Sequence, residues 1–360
     1  MKRLSCFWKP AVWLLTAIGM CLLFPGGAQS QQRDRETQAK MDALYKEAKK
    51  EGALTLYCPR DVEQIRGMYE RFSEKYPGIK LEHLQIRPGE ITQRIVTESK
   101  IGKCSVDVGE GTGAQLGPLL DRDLLAKYDW SGSLGIDEQL SSFDGKAVIY
   151  VTDPYAMVYN TNAVKNPENF PKSTKAFLES LLAPQWKGKI LLERRAWFFA
   201  RFAATENEDA WVTDYVKKIK AQKPIFSKGT TTTGNMIAAG EASIGIPTFL
   251  SSLNLLKSKG APIDMFRTSP TNVSCLAFYV PKAAPHPNAA KLWISWFCSD
   301  EGQKLWEKIG MIGLALPGFQ TETAAFMKDA GIKLVYEKSL DEFEKAEEYQ
   351  KKYEKLLTGK

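Results

Sequence analysis

The chain has 360 residues, with 49 lysines and arginines against 42 aspartates and glutamates, a net charge of +7. Basic and acidic residues are interspersed, so no basic patch favours binding to nucleic acid. With only two histidines and no C-x-x-C motif, the sequence offers few ligands for a zinc site. The length exceeds what one hydrophobic core usually supports, so we expect two lobes.

The N-terminus has the three parts of a secretory signal peptide. Lys2, Arg3 and Lys9 give a positive start, residues 10–24 form an apolar run, and residues 28–30 form a small-x-small cleavage site. We expect cleavage after residue 30, which makes residues 1–30 a signal peptide and places the mature protein in the periplasm. The mature chain then keeps 46 basic against 42 acidic residues. A membrane anchor is the competing interpretation, but the apolar run is shorter than the roughly 20 residues that span a bilayer.

Four cysteines remain after cleavage, namely Cys58, Cys104, Cys275 and Cys298. In an oxidising compartment they could pair, and three complete connectivities are available to them. Their spacing matches no disulfide framework, and the apolar surroundings of Cys275 and Cys298 favour buried thiols. The sequence alone leaves the pairing open.

The first part of the mature chain alternates strands and helices. Strands are predicted at residues 54–57, 79–86 and 106–108, and helices at residues 62–76 and 90–99. Such a β-α-β-α-β order predicts a mainly parallel sheet with helices on both faces. Ligands of such proteins collect at the carboxyl ends of the strands.

Residues 148–159 begin as a β-rich run that Asp153 and Pro154 should interrupt, so we expect the chain to change direction and cross between lobes there. The second lobe should contain a strand at residues 189–192, a helix at 209–220 and a strand region at 241–247, before the chain returns at 271–279. These features predict lobe 1 at residues 31–152 and 275–318, lobe 2 at 153–274, and a C-terminal helical segment at 319–360. Hinges are expected at residues 152–154 and 271–274.

Two short helices are predicted within residues 286–306, with Asn288 and Ser299 as their N-caps. Further along, Ser339 and Glu342 form a capping box that opens a C-terminal helix with an apolar stripe. We expect that stripe to pack on a lobe. Binding of a partner protein is the alternative, because the same stripe suits either contact.

Residues 288–303 resemble the NAA-K-x-[FW]…S-x-E-x-Q signature of bacterial extracellular solute-binding proteins. Six further segments resemble the type II periplasmic binding proteins that serve ABC transporters. They are EGALTLYCPR (51–60), FSEKYPGIKLE (72–82), VDVGEG (106–111), PYAMVYNTNAV (154–164), LAPQWKGKI (182–190) and AAGEASIGIP (238–247). The resemblance covers residues 43–317.

This resemblance implies a two-lobed α/β fold, in which each lobe is a mainly parallel sheet flanked by helices and a hinge joins the lobes. It also implies a protein that captures a small-molecule solute between its lobes and delivers it to an ABC transporter permease in the inner membrane. We expect a monomer with no cofactor and no catalytic activity. A solute sensor for a membrane receptor is an alternative that the sequence does not separate from transport.

Within this superfamily the chain most resembles the ferric-ion-binding branch and its relatives that bind thiamine, phosphonates and sugar phosphates. Ferric-binding members hold iron with two adjacent tyrosines directly after the G-E-x-x-[IL]-G strand. Here residues 247–249 read Pro-Thr-Phe, so the phenolates are missing from that place. Iron binding through the carboxylates of Asp61, Glu110 and Asp153 remains an alternative, because carboxylates suit hard cations.

Polar and aromatic residues that follow predicted strands are the candidate ligand-binding residues. They are Arg60, Glu110, Thr112, Tyr155, Arg194, Arg195, Trp197, Thr231, Thr232 and Thr248. Guanidinium groups suit carboxylate or phosphate oxygens, and hydroxyls at residues 230–233, ahead of a predicted helix, could cradle an anion. We therefore expect a small anionic or zwitterionic solute.

Each candidate also has a structural interpretation. Arg194 and Arg195 could pair with Glu193 at the surface, the threonines could form an ordinary helix cap, and the aromatic residues could belong to the core. Residues 109–114 fit a loose G-x-G-x-x-A pattern, but a dinucleotide fingerprint also requires a ribose-binding acid. An exported hydrolase would need a positioned histidine or a carboxylate pair, and both histidines read as structural.

Overall fold

The computed structural model describes residues 25–309 and 312–359. Residues 1–24, most of the expected signal peptide, lie outside the described residues, and residues 25–30 begin the first helix. None of the helices in the described ranges is both long and apolar enough to cross a membrane. Cys58, Cys104, Cys275 and Cys298 are free thiols.

The described residues form thirteen α-helices and eleven strands. The helices are α1 (Pro25–Glu51), α2 (Val62–Lys75), α3 (Pro88–Lys100), α4 (Gly113–Leu120), α5 (Thr174–Ser180), α6 (Trp197–Glu206), α7 (Asp209–Lys220), α8 (Thr230–Ala238), α9 (Leu250–Ser258), α10 (Pro287–Phe297), α11 (Asp300–Lys308), α12 (Glu322–Asp329) and α13 (Leu340–Thr358). The strands are β1 (Ala53–Cys58), β2 (Lys80–Gln85), β3 (Val108–Gly111), β4 (Ser141–Ser142), β5 (Ala147–Asn160), β6 (Ile190–Glu193), β7 (Ile225–Ser227), β8 (Ile244–Phe249), β9 (Ile263–Met265), β10 (Thr271–Tyr279) and β11 (Leu334–Val335).

The strand and helix alternation predicted for the first part of the chain is confirmed, with one shifted strand. Ile65, Met68 and Phe72 form the buried stripe of α2, as their helical spacing predicts. The shifted strand is β3, which was expected at residues 106–108. Its ladder starts at the pairing of Leu56 with Val108, so residues 109–111, the first half of the G-x-G-x-x-A pattern, belong to the strand.

The strands follow one hydrogen-bonded order, β2-β1-β3-β10-β5-β8-β6-β7. β1, β2 and β3 are parallel to one another, and so are β6, β7 and β8. β5 and β10 run antiparallel between these two groups, with the first half of β5 paired to β10 and the second half paired to β8 and β9. The result is a two-lobed α/β fold in which β5 and β10 form the crossing between the lobes.

The interruption expected at Asp153 and Pro154 is wrong, because β5 is a single strand across both residues. Proline cannot donate to a ladder and is therefore restricted to places where its N–H is not needed. Pro154 is the last residue of β5 that pairs with β10, opposite Val273, and pairing with β8 begins at Tyr155. The proline sits where the strand changes partners, so the ladder tolerates the missing donor.

The helices expected within residues 286–306 are confirmed as α10 and α11, but the expected N-cap at Asn288 is wrong. α10 begins at Pro287, two residues earlier than an N-cap at Asn288 would give, and proline at the first helical position has the φ angle of a helix. The carboxylate of Glu51 accepts hydrogen bonds from the N–H groups of Asn288 and Ala289, at 3.1 and 2.8 Å. A side chain from α1 thus caps α10 in place of a local one.

Buried apolar side chains cluster within each lobe. In the first lobe Phe72 contacts Trp293 and Trp296, with ring centroids 5.1 and 5.4 Å apart. In the second lobe a cluster around β6, α6 and α7 also includes Tyr353 and Leu357 of α13. The end of α13 is therefore packed on the second lobe. The predicted lobe boundaries at residues 152 and 274 remain a prediction.

Candidate functional site

Strand ends from both lobes point toward the crossing of β5 and β10. β3 ends at Gly111, opposite Ala277 of β10, and β6 ends at Glu193, shortly before α6 begins. A cavity of about 20 Å³ lies there, and we call it the interlobe cavity. It is lined by Gly111, Gly113, Ser142, Phe143, Ile149, Arg201, Cys275, Ala277, Glu337 and Phe343.

Arg201 is the charged group that the second lobe contributes to this cavity. Its side chain is only 8% exposed, and Nη1 donates a hydrogen bond of 2.8 Å to the carbonyl oxygen of Val273 in β10. The guanidinium lies 5.8 and 5.6 Å from the ring centroids of Tyr155 and Trp197. Burial opposes the charged form, but Glu337 and then Tyr155 raise the pKa of Arg201 above its ordinary value. The crossing therefore holds a permanent buried positive charge.

The carboxylate that faces Arg201 comes from a distant part of the chain. Glu337 lies between β11 and α13, its side chain is 6% exposed, and its Oε1 is 3.3 Å from Nε of Arg201. These two atoms are buried and neither makes a hydrogen bond. A guanidinium and a carboxylate at their best geometry form two parallel hydrogen bonds. The ion pair of Arg201 and Glu337 is therefore incomplete.

Apolar groups surround this ion pair. The ring of Tyr155 stacks on Phe249 with centroids 5.2 Å apart, and Cys275 lies beside the ion pair in the cavity lining. Burial, followed by the nearby Glu337, raises the pKa of the Cys275 thiol to about 12. A thiol that stays neutral is a poor nucleophile, so Cys275 acts as a small apolar wall.

α13 covers the interlobe cavity. A Cβ atom at Gly113 would lie 2.4 Å from the ring of Phe343, so only glycine permits this contact at the start of α4. About two turns further along α13, Gln350 Nε2 donates a hydrogen bond of 2.7 Å to the carbonyl oxygen of Arg195. The helix therefore bridges the first lobe at α4 and the second lobe at the turn before α6.

Two of the predicted ligand-binding residues, Arg60 and Glu110, are paired with each other. Their side chains meet at 2.6 Å, and the hydroxyl of Tyr150 donates a 2.6 Å hydrogen bond to the other carboxylate oxygen of Glu110. Ile149 lines the interlobe cavity, and neighbouring strand residues point to opposite faces. The Arg60 and Glu110 pair therefore lies on the other face of β5, inside the first lobe, where it contacts Trp306.

Four predicted residues do not line the cavity but lie on the segments that lead into α4 and α6, next to lining residues or to the helix that carries Arg201. Thr112 is the N-cap of α4, and its backbone N–H donates a 2.9 Å hydrogen bond to Gln115. Arg194 and Arg195 are exposed in the turn between β6 and α6, and Trp197 begins α6. Nε of Arg195 forms a 2.5 Å ion pair with the buried Glu193, which is the structural interpretation that its sequence neighbourhood allowed.

The threonine loop expected at residues 230–233 is instead the first turn of α8, which begins at Thr230. The local reason is that Gly229 adopts an extended conformation and serves as N-cap, so the helix starts six residues earlier than its apolar part suggests. Thr231 and Thr232 are exposed on that turn. Thr248 is fully buried in β8, and its hydroxyl has no hydrogen-bond partner. The structure does not bring these three residues to Arg201.

Neither Arg201 nor Glu337 was among the predicted ligand-binding residues, although one signal in the sequence indicates the arginine. Residues 198–204 read FFARFAA, a helical run with one charge among apolar residues. Arginine is almost never fully buried unless it is paired, so such a position calls for a carboxylate elsewhere in the chain. Nothing local to Glu337 identifies it as that partner.

Asp61, Glu110 and Asp153, the carboxylates considered for iron, do not form a metal site within the described ranges. No group of three His, Cys, Asp or Glu side chains there is close enough to hold a metal ion. Glu110 is bound to Arg60. Asp153 accepts hydrogen bonds from the backbone N–H and the hydroxyl of Ser251, at the start of α9.

Asp153 provides a pH-dependent contribution to stability at the crossing. Burial raises its pKa to about 6, so the folded protein binds this proton more tightly than the unfolded chain does. The stabilising contribution is complete below pH ~4 and is lost as the pH rises to about 6. We expect the unfolding free energy of the wild type to fall over this range, relative to Asp153→Asn, by at most about 3 kcal/mol. Urea denaturation at several pH values measures the difference, and parallel profiles of the two proteins would contradict it.

A larger groove, of about 750 Å³, lies between α9 and β9 of the second lobe and α11 and α12. Its lining includes Lys172, Lys257, Asp264 and Arg267. None of its charged side chains is buried, and Lys257 and Asp264 form an exposed pair at 2.8 Å. Exposed pairs contribute little, so the buried and incomplete ion pair of Arg201 and Glu337 makes the interlobe cavity the better candidate site.

Similar solved structures agree with this two-lobed fold. The substrate-binding protein of an ABC transporter from Agrobacterium tumefaciens has 19% identity and a TM-score of 0.65, over 85% of this chain and 94% of that one. Ferric iron-binding protein A of Mannheimia haemolytica, in an open conformation, has 18% identity and a TM-score of 0.67, over 84% and 97%. The periplasmic binding protein AfuA of Actinobacillus pleuropneumoniae, with exogenous fructose-6-phosphate bound, has 21% identity and a TM-score of 0.58, over 85% and 99%.

The family model described as bacterial extracellular solute-binding protein matches residues 67–333. That match begins within α2, includes both strands of the crossing and ends just before β11. It is a family of transport proteins and not of enzymes. The chain therefore belongs to the bacterial extracellular solute-binding proteins.

Proposed function

We propose that this protein captures a small anionic solute in the interlobe cavity and delivers it to an ABC transporter permease in the inner membrane. The observation that carries the proposal is the buried guanidinium of Arg201, which lies at the crossing of the two lobes with an incomplete ion pair. A permanent positive charge in a water-poor site attracts anions strongly, because little solvent screens it.

Two further arginines support an anionic solute. Arg194 and Arg195 are exposed in the turn that leads into α6, the helix that carries Arg201. Together the three guanidinium groups would raise the local concentration of anions at the mouth of the site. AfuA, which shares this fold, has been solved with a sugar phosphate, an anionic solute, bound.

The mechanism we propose is a hinge motion at β5 and β10. The interlobe cavity of about 20 Å³ is far smaller than the roughly 300 Å³ or more of ordinary ligand pockets. The lobes and the covering helix must therefore separate to admit a solute, and then close around it. We propose that the protein works as a monomer in the periplasm, after its signal peptide is removed.

Calorimetry against a panel of carboxylates, phosphonates and phosphate monoesters tests this proposal. We expect at least one class to bind, and Arg195→Ala to weaken that binding about tenfold, since loss of one exposed charge contact costs ~1.4 kcal/mol. Arg267→Ala, in the larger groove, is the matched control and should bind as the wild type does. Binding that depends on Arg267 and ignores Arg195 would move the site to the larger groove, and absence of binding across the panel would reject the function.

A further inference from the structure

We infer that the solute carries a carboxylate that binds Arg201 in place of Glu337, so that the solute and residues 334–343 exclude each other. Residues 334–343, from β11 to the first turn of α13, are called the C-terminal strap below. The inference rests on the proposed function, and it adds the chemical class of the solute and a competitor that belongs to the chain itself.

The ion pair of Arg201 and Glu337 has imperfect geometry. Glu337 comes within 3.3 Å of Arg201, yet Oε1 of one and Nε of the other are buried without a hydrogen bond. The carboxylate of Glu337 is tied to the chain between β11 and α13, which restricts how it can align with the guanidinium. A free carboxylate has no tether and can form both parallel hydrogen bonds. Exchange of Glu337 for a solute would therefore improve the contacts of Arg201.

The C-terminal strap is attached to the crossing separately from the packed end of α13. β11 adds two short pairings to β10, Thr271 with Leu334 and Asn272 with Val335, and Phe343 rests on Gly113. The rest of α13 is fixed to the second lobe through Tyr353 and Leu357. Val335 and Phe343 of the strap are buried, and Leu334 and Tyr336 are partly buried against the first lobe. Opening of the strap therefore exposes four apolar side chains, while the packed end of α13 can stay in place.

The C-terminal strap occupies space in front of Arg201. Glu337 and Phe343 both line the small interlobe cavity, and withdrawal of these two side chains would enlarge it directly in front of Arg201. The rings of Tyr155 and Trp197 flank the guanidinium, so a group bonded to the incoming carboxylate would meet apolar surfaces. This environment favours a small organic carboxylate over inorganic phosphate.

The C-terminal strap lies beyond the part of the chain that matches the family model. The match to the family model ends at residue 333, one residue before the strap begins. The crossing strands and α6, which build the cavity, all lie inside the matched range. The strap, which adds Glu337 and Phe343 to the cavity lining, lies outside the matched range.

The first experiment compares hydrogen exchange in full-length Glu337→Gln and wild type. The glutamine keeps the side-chain shape but removes the charge, so we expect the amides of residues 338–346 to exchange about tenfold faster, as a loosened segment does. The amides of residues 350–357, at the packed end of α13, are the internal reference and should stay protected. Glu348→Gln, an exposed glutamate on the same helix, is the matched control and should exchange as the wild type does. Equal exchange in Glu337→Gln and wild type would overturn the inference.

The second experiment uses acetate as the isolated carboxylate group. Sodium acetate should speed the exchange of residues 338–346 in the wild type, whereas sodium chloride at the same ionic strength should not. Acetate should also bind Glu337→Gln about tenfold more tightly than the wild type, because the internal competitor is gone. A purely structural ion pair would respond equally to both salts.

A double variant keeps the test interpretable if Arg201→Met alone fails to fold. Arg201→Met with Glu337→Met removes both buried charges, a change that proteins often tolerate. This variant should fold and lose its response to acetate. If compounds of the panel bind the wild type while acetate and Glu337→Gln leave the strap unchanged, the inference fails and the proposed function stands. If no panel compound binds the wild type or Glu337→Gln, the proposed function itself fails.

Discussion

Replacing Glu110 by alanine should lower the free energy of unfolding by about 3–5 kcal/mol, the usual cost of removing one partner of a buried ion pair. Glu110 is 4% exposed and lies 2.6 Å from Arg60. Burial opposes the charge on Arg60, and Tyr150 and Glu110 raise its pKa. A guanidinium is not deprotonated in proteins, so Arg60 stays charged after the substitution. The variant then holds a desolvated cation with no carboxylate to balance it. Urea denaturation followed by tryptophan fluorescence measures the change.

Two variants separate this electrostatic cause from a simple loss of packing. Glu82→Ala breaks an exposed pair with Lys80 at 2.7 Å in the same lobe and should leave stability nearly unchanged. Arg60→Met combined with Glu110→Leu removes both charges and should recover most of the loss. A double variant as unstable as Glu110→Ala would show that shape, and not charge, is what the site requires.

For Arg60 and Glu110, the position along the chain relative to the strands could be predicted from the sequence, but the contact between their side chains could not. Both were predicted to follow strands, the first and the third, from the β-α-β order. The structure has Arg60 just after the end of β1 and Glu110 within β3. Their partners depend on which face of the sheet each side chain occupies. β3 begins two residues later than expected, which places Glu110 inside the strand and not in the loop after it, and the sequence gives no sign of the face on which it meets Arg60.

The fold was more accessible because its signals are local. The predicted helix at 209–220 and the predicted return at 271–279 coincide with α7 and β10, since each has its own periodic apolar pattern. The errors arose where a distant group decided the local structure. Glu51 caps α10 from 237 residues away in the sequence, and a change of strand partners accommodates Pro154.

The ion pair of Arg201 and Glu337 is the same kind of case. The arginine stands out within an apolar helix, but its carboxylate could have come from any of the 42 acidic residues. The chain reaches Glu337 only after α12 and β11 have wrapped back to the crossing. A contact formed by that return has no periodicity, and pattern reading has nothing to detect there.

Replacing Tyr353 by alanine should cost about 3–5 kcal/mol, as removal of a large buried aromatic side chain does. Tyr353 is fully buried against the second lobe, and its hydroxyl donates a 2.7 Å hydrogen bond to a carboxylate oxygen of Asp209, at the start of α7. This residue anchors α13 behind the strap. Its loss should detach the whole helix, which thermal denaturation would register as a lower midpoint and hydrogen exchange as lost protection of residues 350–357.

Controls on the same helix make this prediction specific. Tyr349→Ala removes a ring of the same size that is only partly buried and should cost much less, while Tyr353→Phe removes only the hydroxyl and should cost about 1 kcal/mol. Glu337→Gln should loosen the strap and leave residues 350–357 protected, whereas Tyr353→Ala should release both. If the two substitutions gave the same exchange pattern, the strap and the anchored part of α13 would be one cooperative unit, and the strap could not open separately to admit a solute.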